Sequence, residues 1–150
     1  MTISLPEIGV QCLDFVTDVS GMVIKNYIIG VEPENVLVIS VFQPHGVNRK
    51  TARPLKSIKI DPYRLRPLHW VQIDMPMDIL GTEATDMSSG LKGTIVAIAQ
   101  MPEKRVSVLI QPKGVRDEDW EVAPGIEVDI ARCSGPVLDE LRIARQVAEQ

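Results

Sequence analysis

The sequence predicts a mainly β chain in which two copies of one small module are followed by a single C-terminal helix. Three observations predict it: an internal repeat, an apolar period of two along most hydrophobic stretches, and a change to helical period after Cys133. Gly9, Asp14 and Gly21 recur, at one constant spacing, as Gly81, Asp86 and Gly93. Gln43-Pro44-His45-Gly46-Val47 recurs at a slightly shorter spacing as Gln111-Pro112-Lys113-Gly114-Val115, so the first copy carries four extra residues between Gly21 and Gln43. Gly and Pro each make up only about 5–7% of average sequence, so identities that keep this order mark a duplication.

A module of roughly 70 residues is close to the smallest size that supports its own apolar core. Each copy is therefore expected to lean on the other copy, on the C-terminal segment or on neighbouring subunits. Residues 1–7 form an N-terminal arm and 8–74 the first module, with a long basic excursion at 45–67. The second module spans 79–132 and the helical segment 134–150, with Asp74-Met75-Pro76-Met77-Asp78 as a short stiff join.

Within the modules, Met22 to Ile29 and Thr94 to Ala99 are rich in the β-branched residues that suit a half-buried pleated surface. Val36 to Phe42 and Arg105 to Ile110 follow as the next strands. Ile126 to Ile130 alternates cleanly and closes the second copy, and Leu68 to Ile73 is expected to close the first. Gly21 and Gly93 open strands where a bent loop returns to the sheet, positions that call for close backbone approach. Asp14 and Asp86 begin that loop, where a short carboxylate accepts from amides two residues on. Gly9 and Gly81 sit at the preceding turns. Pro44 and Pro112 remove a ladder donor and end their strands. Together these are the parts of two small SH3-like β-barrels. After Cys133, Ser134 is placed to cap a helix from Pro136 to about Ala148, with Val137, Leu138, Leu141, Ala144 and Val147 or Ala148 at helical spacing.

The chain holds 45% hydrophobic residues at a net charge of −4, and no apolar run approaches the ~18 residues of a membrane span. The N-terminal residues lack a basic and apolar leader, and Cys12 and Cys133 have no metal or paired spacing, which points to cytoplasmic synthesis with free thiols. The acidic balance argues against generic nucleic-acid binding, and no membrane contact is expected. Charge is nevertheless segregated. Arg49, Lys50, Arg53, Lys56, Lys59, Arg64 and Arg66 lie in one stretch with a single acid, Asp61, whereas Asp117, Glu118, Asp119 and Glu121 cluster after the second Gln-Pro block. The basic stretch reads either as a solvated excursion or as a docking arm for an acidic surface, such as the 117–121 cluster of another copy.

Catalytic patterns are sparse. His45 is replaced by Lys113 in the other copy, and His69 adjoins Trp70 in an apolar strand, so neither reads as a general base. Gly90-Leu91-Lys92-Gly93 has the spelling of a KH clamp loop but opens a strand instead of joining helices. The Asp117 to Asp119 carboxylates lack the glycine-spaced ligand series of a hard-cation loop. No phosphate loop, nucleophile elbow or zinc-protease helix is present. The sequence gives no cofactor, no metal and no catalytic residue.

Leu80-Gly81, Asp86, Gly90-Leu91-Lys92-Gly93-Thr94-Ile95-Val96 and Leu109-Ile110-Gln111-Pro112, with Trp120 beyond, resemble a family of small barrel proteins of tailed bacteriophages and prophages. The likeness runs from Leu80 to Val115 in the second copy and, more loosely, over 8–47 in the first, and its glycine-strand core is also similar to KOW-type and Tudor-like barrels. Met101-Pro102-Glu103-Lys104 stands where that family commonly has an aromatic-Gly-Cys turn. The resemblance implies a non-enzymatic structural protein of the virion: a capsid-decoration, neck or tail component that contacts other virion proteins or copies of itself. Its contact residues would come from the basic stretch, Asp117, Glu118 and Asp119, and the helix residues Leu141 and Ile143. The alternative is a KOW- or Tudor-like binding module for nucleic acid or a host protein.

Overall fold

The computed structural model describes residues 2–114 and 124–148 of the chain. It is mainly β with one C-terminal α-helix. In the first copy five strands, β2 (Gln11–Asp14), β3 (Val19–Glu32), β4 (Asn35–Pro44), β5 (Ile58–Ile60) and β6 (Leu65–Pro67), pair in the order β5-β4-β3-β2-β6. In the second copy β8 (Glu83–Asp86), β9 (Lys92–Gln100), β10 (Val106–Gln111), β11 (Ile126–Asp129) and β12 (Cys133–Ser134) pair in the matching order β11-β10-β9-β8-β12. In both, the last strand returns beside the first. The remaining strands, β1 (Thr2–Pro6) and β7 (Trp70–Asp74), form a separate antiparallel ladder from Thr2↔Asp74 to Pro6↔Trp70.

The duplication extends to the cores. Cys12, Val23, Phe42, Ile60 and Leu65 form the first cluster. Their counterparts Ala84, Ile95, Ile110, Val128 and Cys133 are all buried as well. One pair of positions differs in kind. Asn26 and Ser40 are buried polar residues where the second copy has the buried Ile98 and Val108. Asn26 is fully satisfied: its Nδ2 donates to the Pro6 carbonyl at 3.1 Å and to Gln100 Oε1 at 2.9 Å, and its Oδ1 accepts from Ser40 Oγ at 2.6 Å.

The chain forms two compact units that are not its N- and C-terminal halves. One comprises Met1–Ile28, Leu37–Met75 and Gln100–Arg105; the other comprises Ile29–Val36, Pro76–Ala99 and Val106–Gln150. Each unit thus takes in the end of the other copy's central hairpin. β3 is divided between the units after Ile28.

Two expectations need correction. Leu68 to Ile73 does not close the first copy, because β5 pairs with β4 through Ser40↔Ile60 and Phe42↔Ile58 while β7 pairs with β1. The basic excursion narrows to residues 45–57, since 58–67 supplies β5, a 3-10 turn at Pro62–Arg64 and β6. The prolines at 54, 62 and 67 and the dense charge mask these short strands, which carry only one or two core side chains apiece. The helix, α1, runs Pro136–Ala148 as expected. Ser134 donates its hydroxyl to the Asp139 carboxylate at 2.8 Å and does not accept from a helix amide.

Candidate functional site

Six residues build the same bent loop in each unit. Asp14 Oδ1 accepts from the Val16 amide at 3.1 Å, and its Oδ2 accepts from Thr17 Oγ1 at 2.6 Å and from Arg64 Nη2 at 2.8 Å. Asp86 Oδ1 accepts from the Ser88 amide at 3.3 Å, and its Oδ2 from Ser89 Oγ at 2.6 Å and Arg132 Nη2 at 3.0 Å. The two arginines occupy equivalent positions, at the same spacing as the Gln-Pro blocks. So do Asp61 and Asp129, each of which accepts from the amide two residues on at 2.9 Å. Phe15 and Met87 donate their amides to the Arg64 and Arg132 carbonyls at 2.8 Å, which ties the loop to the strand end in both copies. Burial raises the Asp14 carboxyl, but the Thr17 hydroxyl, the Arg64 guanidinium and the Val16 amide together hold it below the usual range. For Asp86 the Ser89 hydroxyl lowers it most, against burial and with help from the Ser88 amide and Arg132. These are structural carboxylates. A group stabilised as its anion by three donors is a poor proton shuttle near neutrality.

The glycines have a steric duty. A Cβ on Gly21 would lie 2.3 Å from the Gln43 carbonyl oxygen, and one on Gly93 would lie 2.3 Å from that of Gln111. Next to this loop, Asp18 takes φ 59° where its counterpart Gly90 has φ 77°.

Cys12 and Cys133 are buried, and burial is the main cause that raises both thiols. His45 and His69 are exposed. Among the described residues no group of three His, Cys, Asp or Glu side chains is placed to hold a metal ion. Among them too, no helix is long and apolar enough to cross a membrane.

What the first unit presents outward is aromatic and cationic. Phe15 (64% exposed), Tyr63 (78%) and Leu68 (72%) stand open, with Trp70 partly so (41%). The Arg66 guanidinium lies over the Phe15 ring at 4.8 Å, and the Tyr63 and Trp70 rings are 6.1 Å apart. Ser4, Tyr63, Leu65, Arg66 and Trp70 line a shallow groove beside them. Sequence reasoning missed this patch. Its signal was the pair Phe15-Val16 inside a turn opened by Asp14, where apolar residues have no core to enter.

The basic residues expected to act together are divided. Arg64 is committed to Asp14, and Arg66 belongs to the aromatic patch. Lys59 lies 5.6 Å from the Tyr27 ring, which Lys25 also approaches at 4.7 Å. Arg49, Lys50, Arg53 and Lys56 are exposed on a turn held by Asn48, whose Oδ1 accepts from the Lys50 amide at 2.8 Å. Asp117, Glu118, Asp119 and Trp120 lie outside the described residues. On α1, Leu138 is buried, Leu141 is half-buried, and Ile143 (61%) and Val147 (65%) are exposed.

No family model matches the chain, and the searches of curated proteins and of solved structures returned no match.

Proposed function

We propose that this chain is a non-enzymatic structural protein of a tailed phage particle, a capsid-decoration, neck or tail component that works through repeated contacts with other virion proteins and with copies of itself. The observation that carries the reading is how its side chains are deployed. The carboxylates with displaced pKa values hold loops together, and the thiols are in the cores. Among the exposed residues are Phe15, Tyr63, Leu68, Arg66, Ile143 and Val147, the aromatic, aliphatic and arginine types that anchor protein interfaces. The resemblance of the glycine-strand core to small phage barrels supports the virion as the setting. Quantitative mass spectrometry of purified particles tests it: the chain is expected at high copy number, and its absence from particles overturns the reading.

A second reading draws on the same patch. Rings beside an arginine also suit stacked bases of single-stranded nucleic acid, or a host protein. It predicts binding that falls steeply with salt and is lost when Tyr63 and Trp70 become Ala.

A further inference from the structure

We infer that the aromatic face of the first unit receives the exposed face of α1 from a second copy, so that chains associate head to tail. The inference rests on the multi-copy reading above and names the partner and the two surfaces. Three observations carry it. The first is charge: by sequence the first unit holds ten Lys and Arg against six Asp and Glu, net +4, and the second holds six against fourteen, net −8. Unlike units attract between copies, and like units repel.

The second observation is internal. In the second unit the chain leaves its fifth strand and becomes α1, which packs on β8 and β12 and buries Leu138. In the first unit the chain leaves the equivalent strand β6 as Leu68-His69-Trp70, all exposed, with Trp70 at the position equivalent to Leu138. After the equivalent strand the duplicated module continues once into a helix that buries Leu138 and once into a stretch that leaves Leu68 and Trp70 exposed.

The third observation is on the helix. Glu140, Ile143 and Val147 fall at i, i+3 and i+7, one stripe, and all three are exposed. The stripe offers two aliphatic side chains and one carboxylate to a face that offers Tyr63, Leu68, Trp70 and the Arg66 guanidinium. Because the two surfaces differ, a pair of chains joined by one such contact still presents a free aromatic face at one end and a free helix at the other. The contact propagates into a ring or a filament.

The test is sedimentation of the full chain over a range of concentration and salt, beside the variants Ile143→Asp/Val147→Asp, Arg66→Glu, Glu140→Arg and the Arg66→Glu/Glu140→Arg double. The expected result is a mass that grows past the dimer with concentration and falls with salt. Association should weaken at least about tenfold in the apolar double and in each single charge variant, with unchanged circular dichroism. The charge-swapped double should recover most of the loss, an outcome that misfolding cannot produce. A chain that stays monomeric, stops at a closed dimer, or ignores these substitutions overturns the inference. So does a monomer whose single-stranded oligonucleotide binding is lost with Arg66→Glu. A chain abundant in particles yet monomeric in solution fails here alone; one that assembles head to tail but is missing from particles fails only the virion reading.

Discussion

The Asp14 carboxylate meets the Arg64 guanidinium at 2.8 Å, and at the equivalent positions of the second copy Asp86 meets Arg132 at 3.0 Å. Both carboxylates are about 1% exposed, whereas the arginines are 34% and 48% exposed. The buried partner is therefore the one that depends on the bond. Arg64 can turn to water if Asp14 is lost, but the Val16 amide and the Thr17 hydroxyl lose their acceptor. Asp14→Ala should cost about 1–3 kcal/mol, and Arg64→Ala should cost comparably by leaving the carboxylate short of a donor. Urea unfolding of both single variants and the double gives the coupling; additivity would show that the pair does not act as a unit.

The same carboxylates set a pH response. Both have folded pKa values below their ordinary value, so their contribution is fully present above about pH 3.9 and is lost as pH falls through the lower folded values. Denaturation midpoints should hold steady from neutrality to mildly acid pH and then drop. Asp14→Asn should flatten the drop. An unchanged acid limb in that variant would assign the acid sensitivity to other groups.

Two glycines close together in sequence should respond very differently to a methyl group. Gly93→Ala puts Cβ against a backbone oxygen, as does Gly21→Ala, and each should cost about 3 kcal/mol or more. Gly90→Ala meets nothing within 4 Å and carries only the penalty of its positive φ, about 1–2 kcal/mol. Thermal midpoints of the three variants decide it. Equal losses would mean that conformation, not close approach, dominates.

Asn26 and Ser40 offer a comparison supplied by the chain itself. Asn26→Ile alone strands the Ser40 hydroxyl and the Pro6 carbonyl and should destabilise by about 1–3 kcal/mol. Adding Ser40→Val, which completes the second copy's Ile98 and Val108 pair, should return part of that loss. A double variant worse than the single would show that the polar pair is matched to its surroundings in a way the apolar pair is not.

The repeat, the loop carboxylates, the strand-ending prolines and the helix limits were legible because each is local: a spacing, a turn chemistry, a change of period. The Asp61 to Arg64 block repeats as Asp129 to Arg132 at the same offset as the Gln-Pro blocks, but dense charge and proline disguised the first of them as part of a loose excursion. The fate of Arg64 and Arg66 was not readable. Both are basic residues in one short stretch, and only the return of β6 beside β2, with Leu13↔Arg66 and Asp14↔Leu65, separates the structural arginine from the exposed one. The sharing of hairpin ends was also hidden, because no local pattern records which unit Ile29 to Val36 or Gln100 to Arg105 will join.

That sharing is the feature on which the duplicated architecture depends, and separating the copies tests it most directly. Residues 1–75 and 76–150 expressed apart should each give collapsed amide spectra without native dispersion, because each lacks a hairpin end that completes its unit; mixed, they should recover the dispersed spectrum of the intact chain. Either fragment folding to that spectrum alone would contradict the account.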